Sequence, residues 1–294
     1  MILAIDIGGT FIKWAVSDGL DLTERRGKVP TPQDSFESLV ETIASIAEAL
    51  PEKPEGIAVS LPGTVDASTG FIVQGGALQY ANDKNLVEAL RERIGLPSSI
   101  QNDARCAALA EIACGELQGI TDGVMVVIGT GVGGALMSGG KLITGGSGAA
   151  GELSMVCSRP LRQEGMGGLL GNRAGMRGLL AHAAEELGRE SLTGEELIAL
   201  VNEGNPTAIS ALDEGLADLA DALLSLQFLL DPQRFVIGGG ISADATYMTH
   251  LINAYEAAFA ALPFNAPHAE VVPARFRNDA NLLGAVVHFE SIAR

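Results

Sequence analysis

Residues Ala4–Gly19 read AIDIGGTFIKWAVSDG. An apolar run ends in a carboxylate, two glycines and a threonine follow, and a second run then alternates. In that second run Ile12, Trp14 and Val16 fall on one face and Lys13, Ala15 and Ser17 on the other, a period of two that predicts a strand. With Ile2–Asp6 as a buried strand before it, Gly8-Gly9-Thr10 becomes a hairpin turn. The theme returns at Val126–Gly140, VVIGTGVGGALMSGG, with the same apolar flanks and the turn in the same place. The repetition predicts two structurally related halves, the second opening near Gly123.

The remaining elements fit that division. A third strand is expected in LTERRGKVP, and a helix over Ser35–Leu50, capped by Asp34 or Ser35 and stopped by Pro51. GIAVSLP and SSIQN read as strands, Asp83–Ile94 and Asp103–Cys114 as helices. In the second half, helices are expected over Met176–Leu187, Thr193–Val201, Ala208–Leu230 and Tyr247–Leu262, strands at RFVIG and AEVVPA, and a last helix over Asn281–Ile292. Hairpins demand antiparallel pairs and crossover helices parallel ones, so the class is α/β with mixed sheets. Two such halves place the default ligand site in a cleft between them.

Composition narrows the function. The 294 residues carry a formal net charge of −17, which repels polyanions and argues against nucleic acid or an anionic membrane as partner. Bound phosphate must therefore be met locally, by backbone N–H groups, a metal ion, or one or two basic side chains. Cys106, Cys114 and Cys157 form no CxxC pair and read as small buried residues. No basic leader precedes Asp6 and no apolar run reaches membrane-spanning length, so a cytoplasmic protein is expected. His182, His250, His268 and His288 lack metal-ligand spacing and read as structural.

Glycine accounts for 37 of the 294 residues, well above the usual fraction of about 7%, so a lone GG pair means little. The two matched turns carry more, because each adds a threonine, Thr10 or Thr130. Bare backbone lets N–H groups approach phosphate oxygens, and the hydroxyl adds a donor. Asp6 stands where a carboxylate holds Mg²⁺, directly or through water, and Lys13 supplies a point charge. A P-loop or a Rossmann GxGxxG opens a helix, whereas here a strand follows. A phosphate-gripping hairpin in each half suits ATP in a hinged cleft.

IQNDARCAALAEIA puts Asn102 and Asp103 at a strand-to-helix junction. Asp103 reads as a helix cap, as a carboxylate that accepts the proton of an alcohol during phosphoryl transfer, or as both. Glu152, after the flexible GGSGAAG, and Asn82 and Asn85, in NDKNL, read either as loop and cap residues or as partners of sugar hydroxyls. Arg159, Arg162, Arg173 and Arg177 gather before Gly178 and read as a solvated basic face, with a phosphate contact as the alternative.

Taken in order, DIGGTFIK, QNDARCAALAE, IGTGVGGA, AAGEL and VIGGGIS resemble the ROK family (repressors, open reading frames, kinases), part of the sugar kinase, Hsp70 and actin superfamily. The resemblance runs from Ile2 to about Glu290. It implies two ribonuclease-H-like domains that close on ATP and a sugar, residues 1–117 completed by 281–294, and residues 118–280. It places Asp6, Gly8, Gly9, Thr10 and Lys13 in the first phosphate motif, Asp6 also on the Mg²⁺ of ATP. Gly129, Thr130, Gly131 and Gly133 fall in the second, and Gly238, Gly239 and Gly240 on the adenosine side. Asp103 matches the catalytic base, with Asn82, Asn102 and Glu152 toward the sugar. A homodimer is implied by the resemblance alone.

Two departures matter. Many family members have a histidine, on sugar and zinc, where this chain has Ser154, and the CxCGxxGCxE zinc stretch is reduced to Cys157 in CSRPLRQEGMGG. Structural zinc is not expected. The pattern looks most like the family's beta-glucoside kinase branch, and the lost imidazole there reads either as room for a larger aglycone or second sugar, or as drift after zinc loss with an ordinary hexose still bound. Phosphorylation of a 6-hydroxyl of a hexose or beta-glucoside is the expected activity. The alternatives are a glucokinase-, fructokinase- or N-acetylmannosamine kinase-type enzyme, and a sugar-responsive regulator. An actin- or Hsp70-like ATPase is disfavoured by the sugar-side residues.

Overall fold

In the computed structural model, which describes residues 1–292, the chain opens as an antiparallel meander of β1 (Ile2–Ile7), β2 (Phe11–Asp18) and β3 (Asp21–Pro30). Then follow α1 (Phe36–Glu48), β4 (Gly56–Leu61), β5 (Thr64–Asp66), β6 (Phe71–Gln74), β7 (Lys84–Asn85), α2 (Leu86–Ile94), β8 (Ser98–Asn102) and α3 (Asp103–Cys114). The main sheet runs β3-β2-β1-β4-β8, with β1, β4 and β8 parallel, and is therefore mixed. Ser35 caps α1 by accepting from Ser38 N at 3.1 Å. α2 begins three residues later than its pattern suggested, because Asn85 caps it by accepting from Glu88 N at 2.9 Å. The small sheet β5-β6-β7 was not foreseen, since strands of two to four residues are too short to show a period.

The second unit repeats the plan with β9 (Gly123–Ile128), β10 (Val132–Ser138) and β11 (Lys141–Ile143). Next come the short α4 (Leu161–Glu164) and α5 (Leu170–Arg173), then α6 (Met176–Glu186), α7 (Gly194–Asn202), α8 (Pro206–Leu230), β12 (Arg234–Gly238), α9 (Ala245–Ala260) and β13 (Glu270–Pro273). Its sheet order, β11-β10-β9-β12-β13, matches that of the first. The last helix, α10 (Ala280–Ile292), returns to the first unit. By internal contacts the units are Met1–Gly115 with Gly145–Ala149 and Asn278–Arg294, and Glu116–Thr144 with Ala150–Arg277. Gly145–Ala149 thus lies with the first unit rather than the second.

Alternation along β1 divides the first core. Leu3, Ile5 and Ile7 pack toward α1 and α2, while Ile2 and Ala4 pack with Cys106 of α3 and with Leu282, Ala285 and Val286 of α10. Asp6 shares the parity of Ile2 and Ala4, and so lies on the α3/α10 face. Of the cysteines expected inside, only Cys106 is buried; Cys114 is half-buried and Cys157 is exposed, in a loop too irregular to cover it. Among the described residues no helix is long and apolar enough to cross a membrane.

Candidate active site

In the first unit the candidate side chains gather at the carboxyl ends of parallel strands, where open α/β sheets bind ligands. Asp6 near the end of β1 is in register with Ser60 in β4, and Leu61 with Asn102 at the end of β8. Asp6 is 8% exposed. Its Oδ1 accepts from Ser60 Oγ at 3.0 Å and from Asn281 Nδ2 at 3.1 Å. Burial pushes its pKa up; the two hydrogen bonds and the charge of Lys13, its cross-strand neighbour, pull the other way. A buried carboxyl whose charge is penalised but whose one oxygen is already gripped by two donors suits a bound cation, which would favour the ionised form.

The β1–β2 turn is held by its carbonyls. Gly8 N donates to Phe11 O at 3.0 Å, Thr31 Oγ1 to Gly8 O at 2.7 Å, Gln33 Nε2 to Gly9 O at 2.9 Å and Thr31 N to Thr10 O at 2.9 Å. The exposed N–H groups of Gly9 and Thr10 enter none of these bonds. Neither glycine has positive φ; a Cβ at Gly8 would lie 3.1 Å from Phe11 O. Close approach, not a left-handed backbone, is what glycine supplies here.

Asp103 is the first residue of α3, and the cap before it is Asn102, not Asp103: Asn102 Oδ1 accepts from Arg105 N at 3.0 Å. The Asn102 amide donates to Gly63 O at 2.9 Å and to Asp103 Oδ1 at 3.0 Å, and Ala104 N donates to the same Oδ1 at 2.8 Å. A residue expected on the sugar is thus committed to holding the carboxylate. Asn82 Oδ1 accepts from Gly75 N at 2.8 Å. Asn85 is consumed by its cap and by Thr69 O, at 3.0 Å. Arg105, buried at 3% exposure and not singled out from sequence, donates through Nη2 to Gly148 O and ties in the segment Gly145–Ala149.

In the second unit the β9–β10 turn closes by Gly129 N donating to Gly131 O at 3.0 Å. Its carbonyls in turn serve α6: Met176 N donates to Gly129 O at 2.9 Å and Arg177 N to Thr130 O at 3.2 Å, satisfying N–H groups that a helix start leaves orphaned. A Cβ at Gly175, the helix cap, would lie 2.5 Å from Gly131 Cα. Gly133 lies inside β10, paired with Val127. At the end of β12, Gly239 has φ +92°, and a Cβ there would lie 2.0 Å from Ile128 O, so glycine is required. A cavity of about 930 Å³ brings Gly129, Thr130 and Gly240 to one place, walled by Met176, Leu180, Ile198 and Ile241, with Arg177, Glu195 and Asn202 as polar lining. Arg177 carried a phosphate contact as the alternative reading of its sequence cluster; the other α6 and α7 residues were not foreseen as site residues, because amphipathic helices show no local sign of which ligand they wall.

Glu152 follows Gly151, whose φ is +87°, and starts the short turn Leu153–Met155. A Cβ at Gly134 would lie 2.3 Å from Leu153 Cγ, so a bare strand lets this turn sit on β10. Behind it the loop is closed by backbone, with Cys157 bridged to Leu169 and Leu170 N donating to Val156 O at 2.8 Å. Arg159 Nε and Arg173 Nε donate to Asp218 Oδ1 and Oδ2 at 2.9 and 2.8 Å, and Asp218 on α8 is 3% exposed. These two arginines are therefore a clamp and not a free basic face.

Two units of one topology, each with a strand–turn–strand at its start, define the actin-like ATPase fold of hexokinase-type sugar kinases. The model of the ROK family matches residues 2–291. The chain belongs to the ROK family. It is 35% identical over 293 residues to the beta-glucoside kinase of Listeria monocytogenes, covering 98% of this chain and 97% of that one. A ROK family protein from Streptococcus pneumoniae, solved in complex with sucrose, superimposes with a TM-score of 0.88 at 28% identity, covering 99% and 98% of the two chains. A ROK family glucokinase from Streptomyces griseus, in complex with glucose and AMPPNP, superimposes with a TM-score of 0.81 at 25% identity, covering 97% of each.

Proposed function

We infer that this chain is an ATP-dependent carbohydrate kinase, and we propose that it phosphorylates the 6-hydroxyl of the glucosyl unit of a beta-glucoside. The observation that carries the reading is Asp103, a carboxylate fixed through Oδ1 by Asn102 and Ala104 N–H at the strand edge that also bears Asp6. A hydroxyl at the sugar's primary carbon gives its proton to Asp103 as its oxygen attacks the terminal phosphorus of ATP, and the bond from that phosphorus to its bridging oxygen breaks, so that ADP leaves with the electron pair. The second unit holds the nucleotide, with adenosine in the cavity behind Gly240 and phosphates against Gly129–Gly131. The first unit presents the Gly9 and Thr10 N–H groups and Lys13 to phosphate. Asp6 would hold Mg²⁺, and that ion would neutralise charge on the phosphate oxygens. Transfer requires the phosphate of the second unit to reach the hydroxyl of the first.

Glu152 and the Asn82 amide orient the sugar. Ser154 leaves space where an imidazole would stand, which accommodates an aglycone or a second sugar. The wider setting proposed is a cytoplasmic homodimer.

A coupled ADP-release screen over glucose, N-acetylmannosamine, cellobiose and aryl beta-glucosides tests the reading. Turnover of cellobiose at or above that of glucose is expected. Turnover of free hexoses with none of any beta-glucoside overturns the glycoside assignment, and no sugar-dependent ADP release overturns the kinase.

A further inference from the structure

Asp6 belongs to β1, yet one of its two side-chain donors comes from the far end of the chain. The face of β1 that carries Asp6 is lined by Ala4, with Ala15 and Ala58 beside it, and these small side chains let α10 lie close against the sheet. α10 also meets α3 backbone to backbone, since a Cβ at Gly284 would lie 1.7 Å from Cys106 O. Asn281 stands three residues before Gly284, about one turn up the helix. Its amide reaches Asp6 Oδ1 at 3.1 Å, and Ser60, opposite Asp6 in β4, reaches the same oxygen at 3.0 Å. Two donors from two elements on one oxygen fix the plane of the carboxylate and therefore the direction of its other oxygen.

We propose that Asn281, assisted by Ser60, is a positioning residue that aims the Asp6 carboxylate at the metal–nucleotide complex, so that the last helix is a working part of the phosphate site. The inference rests on the kinase reading for the identity of the ligand. Leu282 and Ala285 do the covering of the sheet, while half-buried Asn281 turns its amide onto a buried carboxylate, which packing alone does not require.

The test uses the full chain with Asn281→Leu, which removes the donor and keeps the branched side-chain shape, and Ser60→Ala, which removes one oxygen. AMPPNP affinity is measured by calorimetry in EDTA and in saturating Mg²⁺, and the unfolding midpoint is recorded for each variant. The gain in affinity that Mg²⁺ confers is expected to fall by about tenfold in Asn281→Leu, as for loss of a hydrogen bond to a charged group, and by less in Ser60→Ala. Affinity in EDTA is expected to stay within about twofold in both. In kinetics the same variants need more Mg²⁺ for half-maximal rate at saturating ATP.

If both variants keep the wild-type gain from Mg²⁺, the proposal is wrong, whatever happens to their melting points. If Asn281→Leu fails to fold, Asn281→Ala is measured in its place and decides by the same ratio. A wild type that binds AMPPNP with a Mg²⁺-dependent gain but phosphorylates no sugar removes the kinase reading and leaves this ratio to judge Asn281. A wild type with no such gain removes the inference.

Discussion

Asp103 illustrates how a helix cap and the base proposed above are separated by one residue. Had Asp103 itself capped α3, its carboxylate would have been spent on the helix N–H groups. Asn102 takes that role, and Asp103, at the first helical position, receives Ala104 N–H and the Asn102 amide on Oδ1. A carboxylate near a helix N-terminus also interacts favourably with the dipole. Asp103→Asn is nearly isosteric and keeps an acceptor for Ala104 N–H, but cannot take a proton. We expect kcat to fall by about 10²–10⁴-fold, with AMPPNP affinity unchanged. Rapid-quench turnover alongside calorimetry measures both; a variant that keeps more than a tenth of wild-type kcat would remove Asp103 from the role of base.

At the scale of elements, the segment from Glu152 to Arg177 joins the candidate sugar side to the β9–β10 turn without regular structure of any length. It is held instead by a few specific bonds: the Cys157–Leu169 bridge, the Asp218 clamp, and the capping of α6 by the Gly129 and Thr130 carbonyls. Removing one partner of a buried ion pair costs about 3–5 kcal/mol. Arg159 and Arg173 are 49% and 40% exposed, so solvent takes up part of the loss, and about 1–3 kcal/mol is the expected cost of Asp218→Ala. Hydrogen exchange read peptide by peptide is the check: protection should drop first over residues 157–173 while the β9 and β12 cores stay protected. Uniform loss across the second unit would contradict a local clamp.

For the molecule as a whole, one contribution to acid stability comes from His288 on α10. Burial pushes the His288 imidazole below its usual value, partly opposed by backbone hydrogen bonds at Ala67 and Ile100, and Nε2 has no partner. The folded state therefore resists a proton that the unfolded chain accepts. The contribution is complete above the ordinary value of 6.5 and is lost as pH falls below it toward the depressed value. The slope in that window is at most about 1.4 kcal/mol per pH unit. His288→Leu should flatten that part of the stability–pH curve measured by urea unfolding; an unchanged slope would place the acid sensitivity elsewhere.

Much of this architecture was legible because its signals are local. A strand that alternates, a turn that needs bare backbone, and a helix stopped by proline each write their pattern within a few residues, and the double appearance of strand–turn–strand set the α/β class with mixed sheets. The chemistry-bearing types at Asp6, Asp103 and the glycine turns were visible for the same reason. What only the tertiary structure decided is which side chains share an atom. Asn281 meets Asp6 across 275 residues, Arg159 and Arg173 converge on Asp218, and α6 and α7 wall the cavity beside Gly240. Such partnerships depend on how helices pack on sheets, and a hydrogen bond made after packing leaves no period in the chain from which to read it.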